Sequence, residues 1–161
     1  MRANRRTRRK GKVRSLYLGA DPGASGALAV VDADGAPVAH VKLDETPPDV
    51  WSWLELYAAG IRHAVLERVS AMPRQGVAST FKFGVSYGRV QGFLIAAGVP
   101  FEEVTPGVWQ RKLGCLSGGD KNITKRRAQE LFPSVKITHH VADAFLLAEY
   151  ARRAAAERVA A

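Results

Sequence analysis

The apolar positions change their spacing along the chain, and the change predicts a mixed α/β fold. Up to residue 43 they form three short runs, over 16–21, 27–32 and 38–43, separated by Pro-Gly and Asp-Gly-Ala-Pro turn sequences. Runs of this length between turn signals are typical of β-strands. This part of the chain therefore predicts an antiparallel meander of three strands.

Helices and strands alternate after the meander. Asp49 is expected to cap the first helix and Gly60 to end it, and Gly98 to close a later, longer helix. Such an order favours a mixed sheet covered by helices, within a single domain over 15–161. The predicted elements are, in chain order, a helix over 49–59, a strand over 64–67, a helix over 79–97, a strand over 101–104, and helices over 106–113, 122–131 and 139–157.

Three glycines recur at every fourth position of the long helix, at Gly84, Gly88 and Gly92. Each costs a helix about 1 kcal/mol relative to alanine, so three on one face predict that another backbone packs closely there. That backbone could belong to the protein's own sheet or to the same helix of a second copy. A membrane helix is excluded, because Lys82 and Arg89 interrupt a segment that is already too short.

The composition indicates the cellular location in which the protein is expected. The chain has 161 residues and one cysteine, Cys115, so it can form no disulfide within itself, and a reducing, intracellular location is expected. Its apolar runs are shorter than the roughly 18 residues that a membrane span needs, and no apolar core follows the charged N-terminus, as a secretory signal would require. We therefore expect no membrane partner.

The positive charge is concentrated at the N-terminus. The formal net charge is +9, and residues 1–14 hold eight basic side chains and no acid. This segment predicts a basic arm that is disordered alone and attracted to polyanions. A second basic cluster, at 125–127, favours nucleic acid over membrane surfaces or ribosomal targeting. Such an arm contributes affinity without reading sequence.

Four side chains are candidates for one shared site. Asp21 ends the first strand, Glu67 ends the fourth, and His140 and Asp143 lie three residues apart in the last helix, where they face the same way. An Asp before Pro-Gly is most often only a turn former, and an acid at a strand end is usually solvated. Their combination, with Asp143 in an apolar helix where an unpaired charge is costly, favours a common function.

The chemistry that fits such a set is metal-dependent cleavage of a phosphodiester. Mg²⁺ takes oxygen ligands and keeps several waters, so a few carboxylates suffice. Two ions about 3.5–4 Å apart can stabilise both the attacking and the leaving oxygen. We therefore predict a nuclease with two ions per site and no small-molecule cofactor.

The same residues carry a resemblance to a known family. Asp21-Pro-Gly-x-Ser-Gly, Glu67 after a mid-chain strand, and His140-x-x-Asp143 in the final helix resemble, in this order, the RuvC-type Holliday junction resolvases, especially their phage-encoded relatives. Thr105-Pro-x-x-Trp109 followed by Gly-Gly-Asp-Lys121 is similar to the basic segment of that family. The resemblance spans about residues 16 to 150.

This resemblance implies a fold and an activity. The fold would be ribonuclease-H-like, a five-stranded mixed sheet flanked by helices, with Asp21 on the central first strand and Glu67 on its neighbour. Asp21, Glu67, His140 and Asp143 would be the catalytic and metal-binding set for Mg²⁺ or Mn²⁺. A homodimer would bind four-way DNA junctions and nick two opposing strands, in the cytoplasm of a bacterial or phage-infected host cell.

DNA contacts are expected from the arm and from basic residues of the body. Lys112 and Lys121 would contact backbone phosphate or support the transition state. The full set of expected contacts is Arg5, Arg6, Arg8, Arg9, Lys10, Arg74, Lys82, Lys112, Lys121, Lys125 and Arg126.

Two positions depart from the family pattern. Many relatives have Asp where this chain has His140, and an imidazole suits softer metals, which favours Mn²⁺. His139 lies at a similar angle to Asp143, so only the family motif selects His140. Relatives often place an aromatic wedge soon after the catalytic Glu; the segment 68–74 contains none, and Met72, Phe81 or Phe83 could replace it.

Other classes fit less well. A proofreading-type exonuclease of the same broad fold would normally begin with Asp-x-Glu and space its His and Asp more widely. A sugar-kinase-like ATPase needs two lobes, which 161 residues cannot supply. A noncatalytic DNA-binding module whose acids are structural remains as the alternative from a different class.

Overall fold

The computed structural model of the protein describes residues 14–161 except 24, 69 and 71–75. Residues 1–13 of the predicted disordered arm, together with Arg74 and the wedge candidate Met72, lie outside the described residues. The rest follows the predicted order of elements closely. The strands are β1 (Leu16–Asp21), β2 (Ala27–Asp32), β3 (Pro37–Lys42), β4 (Ile61–Glu67) and β5 (Phe101–Val104). The helices are α1 (Pro47–Ala58), α2 (Val77–Ala96), α3 (Pro106–Lys112), α4 (Lys121–Leu131) and α5 (His139–Ala160).

The five strands form one mixed sheet in the order β3-β2-β1-β4-β5. The meander β1-β2-β3 is antiparallel, whereas β4 pairs parallel with β1 and β5 pairs parallel with β4. The five-stranded mixed sheet flanked by helices is therefore confirmed. Because β1 and β4 are parallel neighbours, their carboxyl ends, and hence Asp21 and Glu67, lie at the same edge.

The two faces of the sheet carry separate cores. On one face, α3, α4 and α5 pack over Ala27, Ala29, Val31 and Val65. On the other, α1 and α2 cover the strand residues that alternate with these. Side chains along a strand point to opposite faces with a period of two, so Asp21 and Glu67 share the face that α5 covers.

Gly19 allows α5 to lie directly on β1. A Cβ atom at this position would come within 2.1 Å of the Ala144 carbonyl oxygen and 2.2 Å of the Ala148 amide nitrogen. Glycine inside a strand often marks such a close backbone approach. The contact fixes the first turns of α5, including Asp143, beside the carboxyl end of β1.

Some predicted boundaries were wrong. Thr46, not Asp49, is the N-cap of α1: its hydroxyl oxygen accepts from the Asp49 amide at 3.4 Å and its hydroxyl hydrogen-bonds the Asp49 carboxylate. Asp49 is instead the third residue of the helix. Strand β4 begins at Ile61 rather than at residue 64, because its first residues pair with β1 although Arg62 and His63 interrupt the apolar run.

The glycine stripe of α2 does not pack against the protein's own sheet. A Cβ atom added at Gly84, Gly88 or Gly92 would meet no heavy atom within 4 Å, and all three residues are exposed. Of the two possibilities for the stripe, packing against the protein's own sheet is therefore wrong for the described part of the chain. None of the helices described is long and apolar enough to cross a bilayer.

Candidate active site

Asp21 and Glu67 are brought together by strand register. Ala20 on β1 lies opposite Leu66 on β4, so the carboxylates that follow end adjacent strands on one face of the sheet. The turn after β1 uses one oxygen of Asp21, since the Gly23 amide donates to Asp21 Oδ1 at 3.0 Å. Asp21 is therefore a turn former, as its sequence suggests, and it also keeps Oδ2 for another partner.

Asp143 joins this pair from the first turns of α5. It directly precedes Ala144, whose carbonyl oxygen lies against Gly19, two residues before Asp21. Asp143 Oδ1 is buried and has no hydrogen-bond partner among the described residues. A buried, unpartnered carboxylate oxygen costs free energy, which a bound cation or its water could recover.

Burial raises the pKa values of all three acids, and neighbouring carboxylates add to the shift at Asp21 and Glu67. Burial, opposed by the Gly23 hydrogen bond and reinforced by the charge of Asp143, raises the pKa of Asp21 to about 6. Burial and then the charge of Asp21 raise the pKa of Glu67 to about 8. Burial also raises the pKa of Asp143, against the opposing effect of a hydrogen bond from the Thr124 side chain to this carboxyl group. Such a cluster of partly buried acids is typical of functional sites and would be stabilised by positive charge.

Glu67 has a hydrogen-bond donor of its own from α3. The indole Nε1 of Trp109 donates to Glu67 Oε1 at 2.9 Å, and the Trp109 side chain is fully buried. One oxygen of this carboxylate is thus held by the core, which leaves Oε2 for another ligand.

His140 is held in a defined tautomer. Its Nδ1 lies 2.9 Å from the backbone carbonyl oxygen of Ser25, which can only accept, so Nδ1 carries the proton. A neutral imidazole with this hydrogen bond presents its Nε2 lone pair, as metal-bound and proton-accepting histidines do. His139 also lines the cavity and its charge lowers the pKa of Asp143, so the structure brings both histidines to the site.

An open cavity of about 340 Å³ lies over these groups. Lys121, the first residue of α4, supplies its positive charge and lowers the pKa of all three acids. The loop before α4 is anchored by buried Gln110, whose Oε1 accepts from the Ser117 amide and hydroxyl, each at 3.1 Å. The residues that line the cavity are Asp21, Gly23, Ser25, Gly26, Lys121, His139 and His140.

The other basic residues lie further away. Lys112 forms an ion pair with Glu157, fourteen residues beyond Asp143 on α5, or about 21 Å along the helix. The role expected for Lys112, at a backbone phosphate or in support of the transition state, remains a prediction. Lys82 and Arg126 are exposed and Lys125 is half-buried; as DNA contacts, all four remain predictions.

The side chains at this site are of the types that bind divalent cations, although their present positions do not form a complete ion-binding site. Carboxylates and one imidazole are ligands that Mg²⁺ and Mn²⁺ accept, and the unpartnered Asp143 Oδ1 is an acceptor that such an ion could satisfy. Within the described ranges, no three His, Cys, Asp or Glu side chains are close enough to one another to hold a metal as they stand. Binding of an ion by three of these side chains would therefore require them to rotate toward one another.

Sequence reasoning missed Gly19 and the role of Trp109. The signal for Gly19 was available, since it is a glycine within an otherwise apolar strand. No local signal connects Trp109 with Glu67, because 42 residues separate them and only the folded packing of α3 on the sheet brings them together.

Comparison with known proteins shows similarity to solved RuvC structures. No protein-family model and no curated protein matches the chain. The structure of Thermus thermophilus RuvC is similar with a TM-score of 0.61 and 19% identity over 90% of this chain and 96% of that one. T. thermophilus RuvC in complex with a Holliday junction substrate gives 0.60 and 18%, over 89% and 96%. The protein therefore has a RuvC-like, ribonuclease-H-like fold, as the motifs predicted.

Proposed function

We propose that this protein is a structure-selective endodeoxyribonuclease that resolves four-way DNA junctions by paired nicks on opposing strands. The observation that carries the proposal is the convergence of Asp21, Glu67 and Asp143, with an unpartnered Asp143 oxygen, beneath an open cavity that contains Lys121. Burial raises the pKa of each of the three acids, so bringing them together costs stability unless a positive charge offsets it. The RuvC-like fold adds support.

In the proposed reaction, divalent ions and the side chains of the protein would have different roles. Mg²⁺ or Mn²⁺, two per site, would polarise the scissile phosphate and activate the attacking water. Asp21, Glu67, Asp143 and His140 would hold the ions. Lys121 would bind a non-bridging phosphate oxygen and offset the charge that develops there.

His140 has a further part in this scheme. With Nδ1 bonded to the Ser25 carbonyl oxygen, its Nε2 is oriented either to ligate an ion or to accept a proton from water. An imidazole ligand in place of a carboxylate favours Mn²⁺ over Mg²⁺.

We also propose that the protein is of the phage-encoded type, and that it works in the cytoplasm of a bacterial or phage-infected cell.

The experiment that tests the proposal compares a synthetic four-way junction with a linear duplex of the same arm sequences. Incubation with Mg²⁺ or Mn²⁺ should produce nicks in the junction alone, and chelation should stop them. Metal-independent binding with no nicking under any of these conditions would instead support a noncatalytic DNA-binding module of the same fold.

We propose that the protein acts as a homodimer through the outer face of α2. Beyond Phe81 this face is apolar and exposed: Val85 and Ile95 are 43% and 68% exposed, and the open glycines Gly88 and Gly92 lie between them. A four-way junction offers two equivalent cleavage positions and each chain offers one site, so a two-fold dimer matches the substrate.

Gly88→Lys is expected to produce a folded monomer. The added side chain meets nothing within the protein, whereas at an isologous interface its charge would face its own copy. Sedimentation velocity at micromolar concentration should show a dimer for the unmodified protein and a monomer for the variant. Ser79→Lys, on the opposite side of α2, is the matched control. Dimerisation of Gly88→Lys to the same extent as the control would contradict this interface.

Deletion of residues 1–14 should weaken binding to any DNA and flatten its salt dependence. The segment carries eight basic side chains, and each phosphate that the protein no longer neutralises reduces the slope of log K against log salt by about 0.9 on duplex DNA. Turnover at saturating DNA should persist. Titrations at several salt concentrations measure the slope, and an unchanged slope would show that the arm does not bind DNA.

Phe81 is the aromatic residue that we propose for opening the junction. Its ring is exposed beside Lys82 and Arg89 in a shallow groove of α2, whereas Phe83 stacks on Tyr87 with ring centroids 6.3 Å apart. An exposed ring next to cations can stack on an unpaired base while the cations bind its phosphates.

A further inference from the structure

Trp109 holds one of the four proposed ligand side chains in a single orientation. Its indole N–H donates to Glu67 Oε1 at 2.9 Å. An indole nitrogen is a donor only, so it cannot itself ligate a cation or accept a proton from the carboxyl group. The bond therefore assigns different tasks to the two oxygens of Glu67: Oε1 accepts from the protein, and Oε2 remains for a ligand.

The donor is held in place by burial and by the contacts of the residues that follow it in α3. Thr105 and Pro106 begin the helix, and Leu113 at its end is 1% exposed. Gln110, next to Trp109, bonds to Ser117 in the loop that leads to Lys121. The Trp109 ring lies in the core that α3, α4 and α5 form over the sheet, with none of its surface exposed. It cannot turn away without opening that core.

We propose that Trp109 is a positioning residue that makes Glu67 a ligand through one oxygen. A carboxylate can bind a cation through one oxygen or through both, and ions that demand near-octahedral geometry discriminate between the two modes. With Oε1 bonded to the indole, Glu67 presents Oε2 alone, in a fixed direction. Without the bond from the indole, the Glu67 carboxylate could rotate. Cation binding would then have to fix its orientation, which would lower the affinity. This inference rests on the proposed metal-dependent function.

A purely structural role for Trp109 makes a different prediction. If the indole only fills the core and uses Glu67 as a convenient acceptor, then its replacement lowers stability but leaves cation affinity unchanged. Partners that orient metal ligands typically contribute 10- to 100-fold to metal affinity. Cation affinity measured without DNA separates the two roles, and it does not depend on activity.

The test measures the Mn²⁺ affinity of full-length Trp109→Phe in the absence of DNA. Electron paramagnetic resonance detects the Mn²⁺ that remains free in solution. We expect the affinity to fall by about tenfold or more, with far-ultraviolet circular dichroism unchanged. Trp53→Phe on α1, the same substitution on the opposite face of the sheet, is the matched control and should bind as the unmodified protein does. In a Glu67→Gln background, Trp109→Phe should have no further effect.

Each outcome supports or overturns a specific claim. Equal Mn²⁺ affinity of folded Trp109→Phe and the unmodified protein overturns the positioning role and leaves the proposed function intact. Absence of Mn²⁺ binding by the unmodified protein overturns the proposed function as well. If Trp109→Phe does not fold, benzothienylalanine at position 109 replaces the N–H by sulfur with nearly the same ring shape. The same tenfold loss is then expected, and its absence overturns the role.

Discussion

Asp21→Asn is expected to slow junction cleavage by about 10³-fold or more while junction binding is retained. The amide has the shape of the carboxylate and can keep the turn bond from Gly23, but it carries no charge for a cation. Loss of a ligand removes several kcal/mol of transition-state stabilisation, and about 4 kcal/mol corresponds to a factor of 10³. Single-turnover rates at saturating protein measure cleavage, and fluorescence anisotropy of a labelled junction measures binding.

Asp34→Asn is the matched control for this result. Asp34 is an exposed acid in the turn between β2 and β3, and it makes no contact with the cavity. The same chemical change at Asp34 should leave the cleavage rate within a factor of two of that of the unmodified protein. Cleavage by Asp21→Asn at more than a tenth of the unmodified rate would contradict the assignment of Asp21 as a ligand.

Gly19→Ala is expected to cost more than about 3 kcal/mol of the free energy of unfolding, at the upper end of overpacking effects. The added methyl group would overlap backbone atoms of Ala144 and Ala148, and no rotation of a side chain can relieve that overlap. Helix α5 must move away from β1, and Asp143 moves with it. Urea denaturation measures the loss, and cleavage should fall even where the variant remains folded.

Gly107→Ala provides the comparison within a helix. A Cβ atom at Gly107 meets no heavy atom within 4 Å and its φ angle is ordinary, so alanine there should be neutral or stabilise by up to about 1 kcal/mol. Equal unfolding free energies for Gly19→Ala and Gly107→Ala would contradict the close packing of α5 on β1.

Most of the fold could be predicted because the apolar pattern and the turn residues agree. The predicted bounds of β1 and β2 match those observed, since each is an apolar run between turn sequences. The start of β4 could not be predicted, because Arg62 and His63 interrupt the apolar run although Ile61 and His63 pair with β1. The cap of α1 was misplaced because Thr46 and Asp49 are both good caps and only the backbone decides between them.

The candidate site could be predicted only in part. Asp21, Glu67 and Asp143 end or begin elements that the pattern identifies, and the structure places them together. Lys112 pairs with Glu157 in the fold, a contact that could not be predicted because the sequence does not indicate which way the short helix α3 points. The metal-binding and catalytic roles of the acids remain predictions.

Cleavage of a supercoiled plasmid that extrudes a cruciform tests the central claim most directly. A dimer with one metal site per chain should cut both opposing strands before it dissociates, so linear DNA should form from the start with little open circle, and only with Mg²⁺ or Mn²⁺. Nicked circles that accumulate first and become linear slowly would contradict paired resolution. No cleavage at all, with the cruciform bound, would contradict the assignment of this protein as a nuclease.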